Sequence, residues 1–89
     1  MPQTTDPVAS SVPLSRAAVG EPRVVTRVVG PARDDLEREG MLPGSGVSVI
    51  GRTPLGGPVI VQLGRTRLAL SMNIAAQVAT TADTSSRGR

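Results

Sequence analysis

Short apolar runs bounded by glycine and proline set the pattern along this chain, and such runs predict strands. The run from Pro22 to Val29 is rich in β-branched residues and predicts a first strand. The run Val47–Arg52 predicts a second strand, in which Val47 and Val49 share a face. Val59–Leu63 is apolar on both faces, which indicates a strand in the centre of a sheet.

Residues 65–70 alternate between apolar and polar side chains, so we predict a strand with one buried and one solvated face after a turn at Gly64-Arg65. The residues assigned to the buried face are Thr66, Leu68 and Leu70. Ser71 is a suitable cap for a short helical turn over residues 72–76. Residues 77–79 predict a closing strand.

One segment has helical character. Ala32–Glu39 carries Asp34 and Asp35 in its early turns and Arg38 in its last, which is the order of charge that the helix macrodipole favours. Gly40 stands where a helix C-terminal glycine belongs. Because this segment holds a single strongly apolar residue, we predict a short helix on the surface.

Four or five short antiparallel strands with one helix after the first favour a mainly β fold, a small SH3-like barrel with one inserted short helix and flexible tails. We place this domain at residues 13–80. The polar, Thr-, Ser- and Pro-rich residues 1–12 and the polar residues 81–89 bury too little apolar surface to fold, so we predict two disordered tails.

The segment Pro54–Pro58 holds an apolar residue, Leu55, between prolines and glycines that restrict the backbone. Leu55 either covers one end of the barrel or is offered to a partner. Met41 and Leu42 either extend that surface or plug the barrel under the helix. The candidate partner-binding residues are Leu55, Gly56, Gly57, Pro58, Arg52, Met41 and Leu42.

Three residue types are absent, and their absence excludes several functions. Without cysteine the chain forms no disulfide and no thiolate metal site. Without histidine it lacks the usual general base, which argues against an enzyme. Without aromatic side chains it cannot stack on bases, which argues against nucleic-acid binding.

The formal net charge is +3, and every basic side chain is arginine. Arg65 and Arg67 share the solvated face of one predicted strand, with Arg52 expected nearby. Such a face suits anionic lipid headgroups or an acidic patch of a partner, although solvated strand faces commonly carry arginine without a partner. No apolar run is long enough to span a bilayer and no signal peptide is recognisable, so we expect a cytoplasmic protein.

Four carboxylates cluster on the predicted helix. Asp35 and Glu39, one turn apart, could share a hard cation, but carboxylates hold Fe²⁺ weakly without imidazole. A solvated helix face is the preferred explanation of the cluster. We therefore predict no metal site and no cofactor, and retain Asp35 and Glu39 as weak metal candidates.

Several short motifs, in this order and at these spacings, resemble the FeoA family of bacterial ferrous iron uptake proteins. The central motifs are a glycine-apolar-x-Pro-Gly turn and a Pro-Leu-Gly-Gly-Pro loop. The matching segments are residues 13–15, Gly20, 24–29, 40–44, 54–58, 68–71 and 74–76.

This resemblance implies an SH3-like accessory protein that docks on the FeoB-type ferrous iron permease, which carries a cytosolic GTPase domain, and modulates its transport. The membrane would then be contacted only through the permease. The alternative is a metal-responsive regulatory domain related to the C-terminal domain of diphtheria-toxin-repressor-type regulators. No helix-turn-helix precedes the predicted barrel, which favours the accessory protein. Exposed strand edges leave a homo-oligomer open.

Overall fold

The computed structural model describes residues 11–83, which fold around one six-stranded antiparallel sheet. The strands are β1 (Val12–Pro13), β2 (Arg23–Val28), β3 (Gly46–Arg52), β4 (Val59–Leu63), β5 (Thr66–Leu70) and β6 (Val78–Ala82). Two short helices, α1 (Arg33–Arg38) and α2 (Met72–Ala75), and a 3₁₀ turn at Leu14–Arg16 complete the described part.

The strands lie in the order β1-β6-β2-β3-β4-β5, so the first and last strands of the chain are neighbours. β1 and β5 form the two edges. The 3₁₀ turn and α2 contact each other, and α2 also contacts β5, which closes the inner side of the curved sheet. Leu14 of the turn and Ala75 of α2 are both fully buried there. The predicted mainly β, SH3-like fold with one inserted helix is confirmed.

Most of the core consists of aliphatic side chains that project from alternate positions of the strands. In β4, Val59, Val61 and Leu63 are buried, and the strand has β3 and β5 on its two sides, as its apolar pattern predicts. The other buried apolar residues are Leu14, Ala17, Val25, Val28, Leu36, Met41, Val47, Val49, Leu70, Ala75 and Val78.

The predicted elements agree with the observed ones apart from their ends. The helix predicted over residues 32–39 is α1, and its one apolar side chain, Leu36, is buried while its other faces are largely exposed. Ser71 Oγ accepts a hydrogen bond from the Ile74 amide at 3.2 Å, which confirms the predicted cap of α2. Thr66 is exposed, so its assignment to the buried face is wrong, since it directly follows the turn at the corner of the sheet.

The strands extend slightly beyond the predicted domain. β1 begins at Val12 and β6 ends at Ala82, one and two residues outside the predicted boundaries. The rest of the predicted tails, residues 1–10 and 84–89, lies outside the described residues.

A buried arginine ties three strands together, a feature that the sequence did not lead us to predict. Arg23 is only 5% exposed. Its Nε donates to Thr80 Oγ1 at 2.9 Å and its Nη2 to Thr80 O at 3.1 Å. Thr80 Oγ1 in turn donates to Val12 O at 2.7 Å, and Glu21 supplies a half-exposed carboxylate 3.3 Å from Arg23 Nη1. The network links β2, β6 and β1, and it adds to the backbone pairing of the two-residue β1 with β6.

Candidate functional site

The β3–β4 loop is a closed turn that fixes the backbone of its two central residues. Gly57 N donates to Pro54 O at 3.2 Å, which closes a four-residue turn. Its central residues, Leu55 and Gly56, have φ values of 62° and 72°. Positive φ at both positions is the requirement of the type I′ turns that join twisted antiparallel strands. Leu55 is the one non-glycine residue in the described part with positive φ.

The base of the loop is fixed as tightly as its tip. Thr53 N donates to Pro58 O at 3.2 Å, and Thr53 Oγ1 donates to the same oxygen at 2.9 Å. A Cβ at Gly57 would overlap Thr53 Oγ1, so glycine at this position leaves that hydroxyl in place for its bond to Pro58 O. The loop therefore presents Leu55 on a preformed backbone.

The Leu55 side chain is fully exposed, at 104% of its reference accessibility. Of the two interpretations of this residue, the one in which it covers an end of the barrel is therefore wrong. An isolated exposed leucine is ordinary on a protein surface, but this one also occupies a backbone conformation that costs about 1 kcal/mol for a residue with a Cβ. The combination of exposure and backbone strain marks the loop tip as a candidate contact.

Arg52 binds backbone carbonyls of its own chain and does not lie beside Arg65 and Arg67. A register shift between Val49 and Gly51 inserts Ile50 as an extra residue, so Arg52 pairs with Val59 and points to the same face of the sheet. Its guanidinium donates to Ser15 O at 2.8 Å and to Ala17 O. Arg67 pairs with Gln62 on the opposite face, so the expectation that Arg52 lies near Arg65 and Arg67 is wrong.

Met41 and Leu42 do not extend the Leu55 surface. Met41 is fully buried, consistent with the interpretation that it plugs the barrel, whereas Leu42 is 44% exposed. Both follow Gly40, which lies against Leu63 at the far end of β4 from the loop. The seven residues of β3 span about 20 Å, so Leu42 and Leu55 lie at opposite ends of the sheet.

Two of the three carboxylates of α1, those of Asp35 and Glu37, are engaged with arginines of the same helix. Arg38 Nη1 lies 2.9 Å from Asp35 Oδ1, and Arg33 Nε donates to Glu37 Oε2 at 3.1 Å. That hydrogen bond and the Glu37 charge raise the pKa of Arg33 above its ordinary value. Glu39 lines a surface cleft. Within residues 11–83, no three His, Cys, Asp or Glu side chains converge as metal ligands would, so the geometry gives Asp35 and Glu39 no support as ligands.

That cleft, of about 310 Å³, lies between the end of α1 and the β4–β5 turn. Its polar side chains are those of Glu39 and Ser45. The Ser45 hydroxyl already donates to Gly40 O at 2.8 Å and accepts from Leu42 N at 3.1 Å. The cleft offers one uncommitted carboxylate, and we assign no ligand to it.

No helix in the part of the chain that the structure describes is long and apolar enough to cross a membrane. Among curated protein sequences, none is similar enough to this chain to count as a match.

The FeoA domain model matches residues 12–81, which is most of the chain. A crystal structure of an iron uptake regulatory protein (FeoA) is 31% identical, covers 80% of this chain and 94% of its own, and superposes with a TM-score of 0.71. FeoA of Stenotrophomonas maltophilia, crystallised with zinc, is 28% identical, covers 84% of this chain and 93% of its own, and superposes with a TM-score of 0.70.

A manganese-dependent transcriptional repressor has the same fold over 82% of this chain and 41% of its own, with a TM-score of 0.69. At 18% identity this likeness concerns the fold alone, whereas the family model covers the sequence itself from β1 into β6. The chain therefore belongs to the FeoA family, whose members are associated with ferrous iron transport.

Proposed function

We propose that this chain is a cytoplasmic, non-enzymatic accessory protein of ferrous iron uptake that docks on the FeoB-type permease through the Leu55 loop and modulates its transport. Membership of the FeoA family supports the connection with ferrous iron. The geometry of the loop supports the manner of contact.

The observation that carries the proposal is the full exposure of Leu55 on a closed, left-handed turn. Burying one leucine side chain in a partner is worth about 1.5–3 kcal/mol. The free protein gains nothing from this residue, since asparagine or glycine would adopt the same turn at lower cost. A partner that buries Leu55 accounts for both its exposure and its conformation.

The fixed loop also favours binding. The turn is closed by the bond from Gly57 to Pro54, and its base by two bonds from Thr53 to Pro58. Little backbone freedom is therefore lost when a partner covers it, and the lost freedom of ordering loops is a main cost of association.

The proposal is tested by titrating the ¹⁵N-labelled, full 89-residue chain with the soluble GTPase domain of the permease, and separately with the permease in nanodiscs. We expect amide shifts or line broadening concentrated at residues 53–59. The proposal would be contradicted if neither probe caused amide shifts. It would also be contradicted if the shifts were confined to α1 at concentrations where binding is complete.

A matched pair of variants separates the loop from general surface hydrophobicity. Leu55→Asn removes the apolar side chain and keeps the turn, because asparagine tolerates positive φ. Leu42→Asn removes a partly exposed leucine at the opposite end of the sheet. We expect the first to lose the shifts and the second to keep them.

A further inference from the structure

The two edges of the sheet differ in a way that makes one of them available for pairing. β1 is two residues long and contains Pro13, two features that blunt an edge strand. β5 is five residues long, contains no proline, and pairs with β4 over all five positions without a register shift. A regular edge of this kind, without proline and without a bulge, is a template for another strand.

The hairpin geometry identifies which backbone groups of β5 are free. β4 and β5 are joined by the two-residue turn Gly64-Arg65, and the flanking residues Leu63 and Thr66 are partners. In such a hairpin the flanking pair is hydrogen-bonded and the bonding then alternates, so the N–H and C=O groups of Arg67 and Ala69 point away from β4. Among the backbone bonds outside the strands in residues 11–83, none involves Arg67 or Ala69.

The charged side chains of β5 and of the turn before it are arginines, while the carboxylate of Glu39 lies in the cleft on the other side of that turn. From Gly40 to Ala82 the chain has no acidic residue and three arginines, Arg52, Arg65 and Arg67. Arg67 is exposed on β5 and Arg65 is exposed in the turn directly before it, and neither takes part in an ion pair within the described residues. Arg67 Nε donates to Gln62 Oε1 at 3.2 Å, so its side chain lies across the outer face of β4 and leaves the edge clear.

We propose that β5 is extended by a strand of a partner protein: an extended acidic segment that pairs antiparallel with residues 65–70. Its backbone would match the free groups of Arg67 and Ala69, and its carboxylates would lie on the outer face opposite Arg65 and Arg67. Strand addition to an open sheet edge is an established mode of peptide recognition, with affinity from the backbone and specificity from alternate side chains.

The charge of the edge decides between possible occupants. A second copy of this chain paired through β5 would bring no carboxylate to this edge, because β5 and its turn hold only arginines as charged residues, so Arg65 and Arg67 would stay without partners of opposite charge. Lipid headgroup phosphates would satisfy the arginines but only accept hydrogen bonds, which leaves the carbonyls of Arg67 and Ala69 without donors. An acidic peptide satisfies both requirements: its carboxylates pair with the arginines, and its backbone pairs with the N–H and C=O groups of Arg67 and Ala69.

The β5 edge and the Leu55 loop are adjacent, so one extended segment could contact both. Leu70, at the end of β5, pairs with Val59, which directly follows Pro58 of the loop. A segment antiparallel to β5 therefore begins at the loop end and finishes beside Arg65. Its early residues reach the side of the molecule that carries Leu55, and its acidic residues follow. The inference rests on the proposed function in one respect, since it takes the permease as the source of that segment.

The edge is tested directly with a synthetic probe, the blocked peptide acetyl-Leu-Thr-Val-Glu-Val-Glu-amide. In the antiparallel register the two glutamates face Arg67 and Arg65, and the threonine faces Ala69. Titrated into the labelled full chain, this peptide should shift the amides of Arg67 and Ala69 most strongly. The same peptide with lysine in place of both glutamates should not bind.

Two variants of the chain remove different parts of the site. Ala69→Pro removes an outward N–H that β4 does not use, and proline is tolerated at such edge positions. Loss of that bond and the steric block should weaken peptide binding about tenfold. Arg67→Glu leaves the backbone intact and should weaken binding by at least as much, whereas Arg38→Glu on α1 is a charge-matched control expected to have no effect.

Measuring permease binding by the same variants distinguishes this inference from the proposed function. We expect Ala69→Pro to weaken permease binding about tenfold as well. Peptide binding at Arg67 and Ala69 with no permease binding by the wild type would uphold the edge and overturn the proposed partner. No peptide shifts, together with wild-type permease affinity in both Ala69→Pro and Arg67→Glu, would overturn the edge. Equal binding of all variants to anionic phosphatidylglycerol vesicles, without peptide binding, would also overturn it. Where Ala69→Pro does not fold, Arg67→Glu supplies the same test.

Discussion

At the scale of single residues, Leu55 combines two properties that a folded protein does not need. Its side chain is fully exposed and its φ is 62°. Gly56, its neighbour in the turn, also has a positive φ, but without the same energetic cost, because glycine has no Cβ. A fully exposed apolar residue in a strained backbone conformation is best explained by a contact made with another molecule.

We therefore expect stability and binding to change in opposite directions in Leu55→Asn. Asparagine adopts positive φ more readily than leucine, so the free energy of unfolding should rise by about 0.5–1 kcal/mol. Denaturant unfolding of the two proteins measures this difference. A fall in stability would show that the leucine makes a stabilising contact within its own chain, and its exposure would then need no partner.

Thr80 is the second residue with a particular role, because one hydroxyl serves two strands. It accepts from Arg23 Nε and donates to Val12 O. In Thr80→Val both partners lose that bond while Arg23 stays buried, and we expect a loss of about 2–3 kcal/mol in the free energy of unfolding. Thr66→Val on exposed β5 is the control and should change stability little. A small effect of Thr80→Val would mean that water replaces the hydroxyl.

At the scale of elements, the bulge in β3 determines what Arg52 does. The extra residue at Ile50 turns Arg52 to the face of Val59, where its guanidinium meets the carbonyls at the two ends of the segment Ser15–Ala17. The contact fixes the 3₁₀ turn, and with it the buried Leu14, against the far end of β3. Arg52 is therefore a structural residue at the base of the loop.

Arg52→Met should loosen the 3₁₀ turn while leaving the Leu55 turn closed. We expect faster hydrogen exchange at the amides of Ala17 and Gly20, which bond to Leu14 O and Val49 O, and a stability loss of about 1–2 kcal/mol. Amide exchange followed by NMR gives the answer residue by residue. If exchange were unchanged but permease binding were lost, Arg52 would belong to the contact surface after all.

At the scale of the whole molecule, the sequence predicts the elements well and their mutual placement less well. Alternation and the Gly and Pro boundaries predict the strands between residues 22 and 70, since each signal is local. β1 has no local signal, because a two-residue strand exists only through its pairing with β6 and the hydroxyl of Thr80. The direction of Arg52 depends on a bulge that the alternation does not show.

The candidate surface illustrates the same limit. Proline and glycine predict a constrained loop at residues 54–58, but an apolar residue in a loop can face either inwards or outwards. The sequence also places Met41 and Leu42 beside Leu55 as candidates, although the length of β3 separates them in space. The identity of the proposed partner is inferred from family membership, whereas the loop indicates only that the contact is apolar.

The most direct test of the central claim is the affinity of the full chain for the FeoB-type permease in nanodiscs, measured for the wild type, Leu55→Asn and Leu42→Asn. Loss of a buried leucine contact should weaken binding by Leu55→Asn at least tenfold, while Leu42→Asn binds as the wild type does. Equal affinities for all three proteins, each shown to be folded, would contradict the assignment of the Leu55 loop as the docking surface.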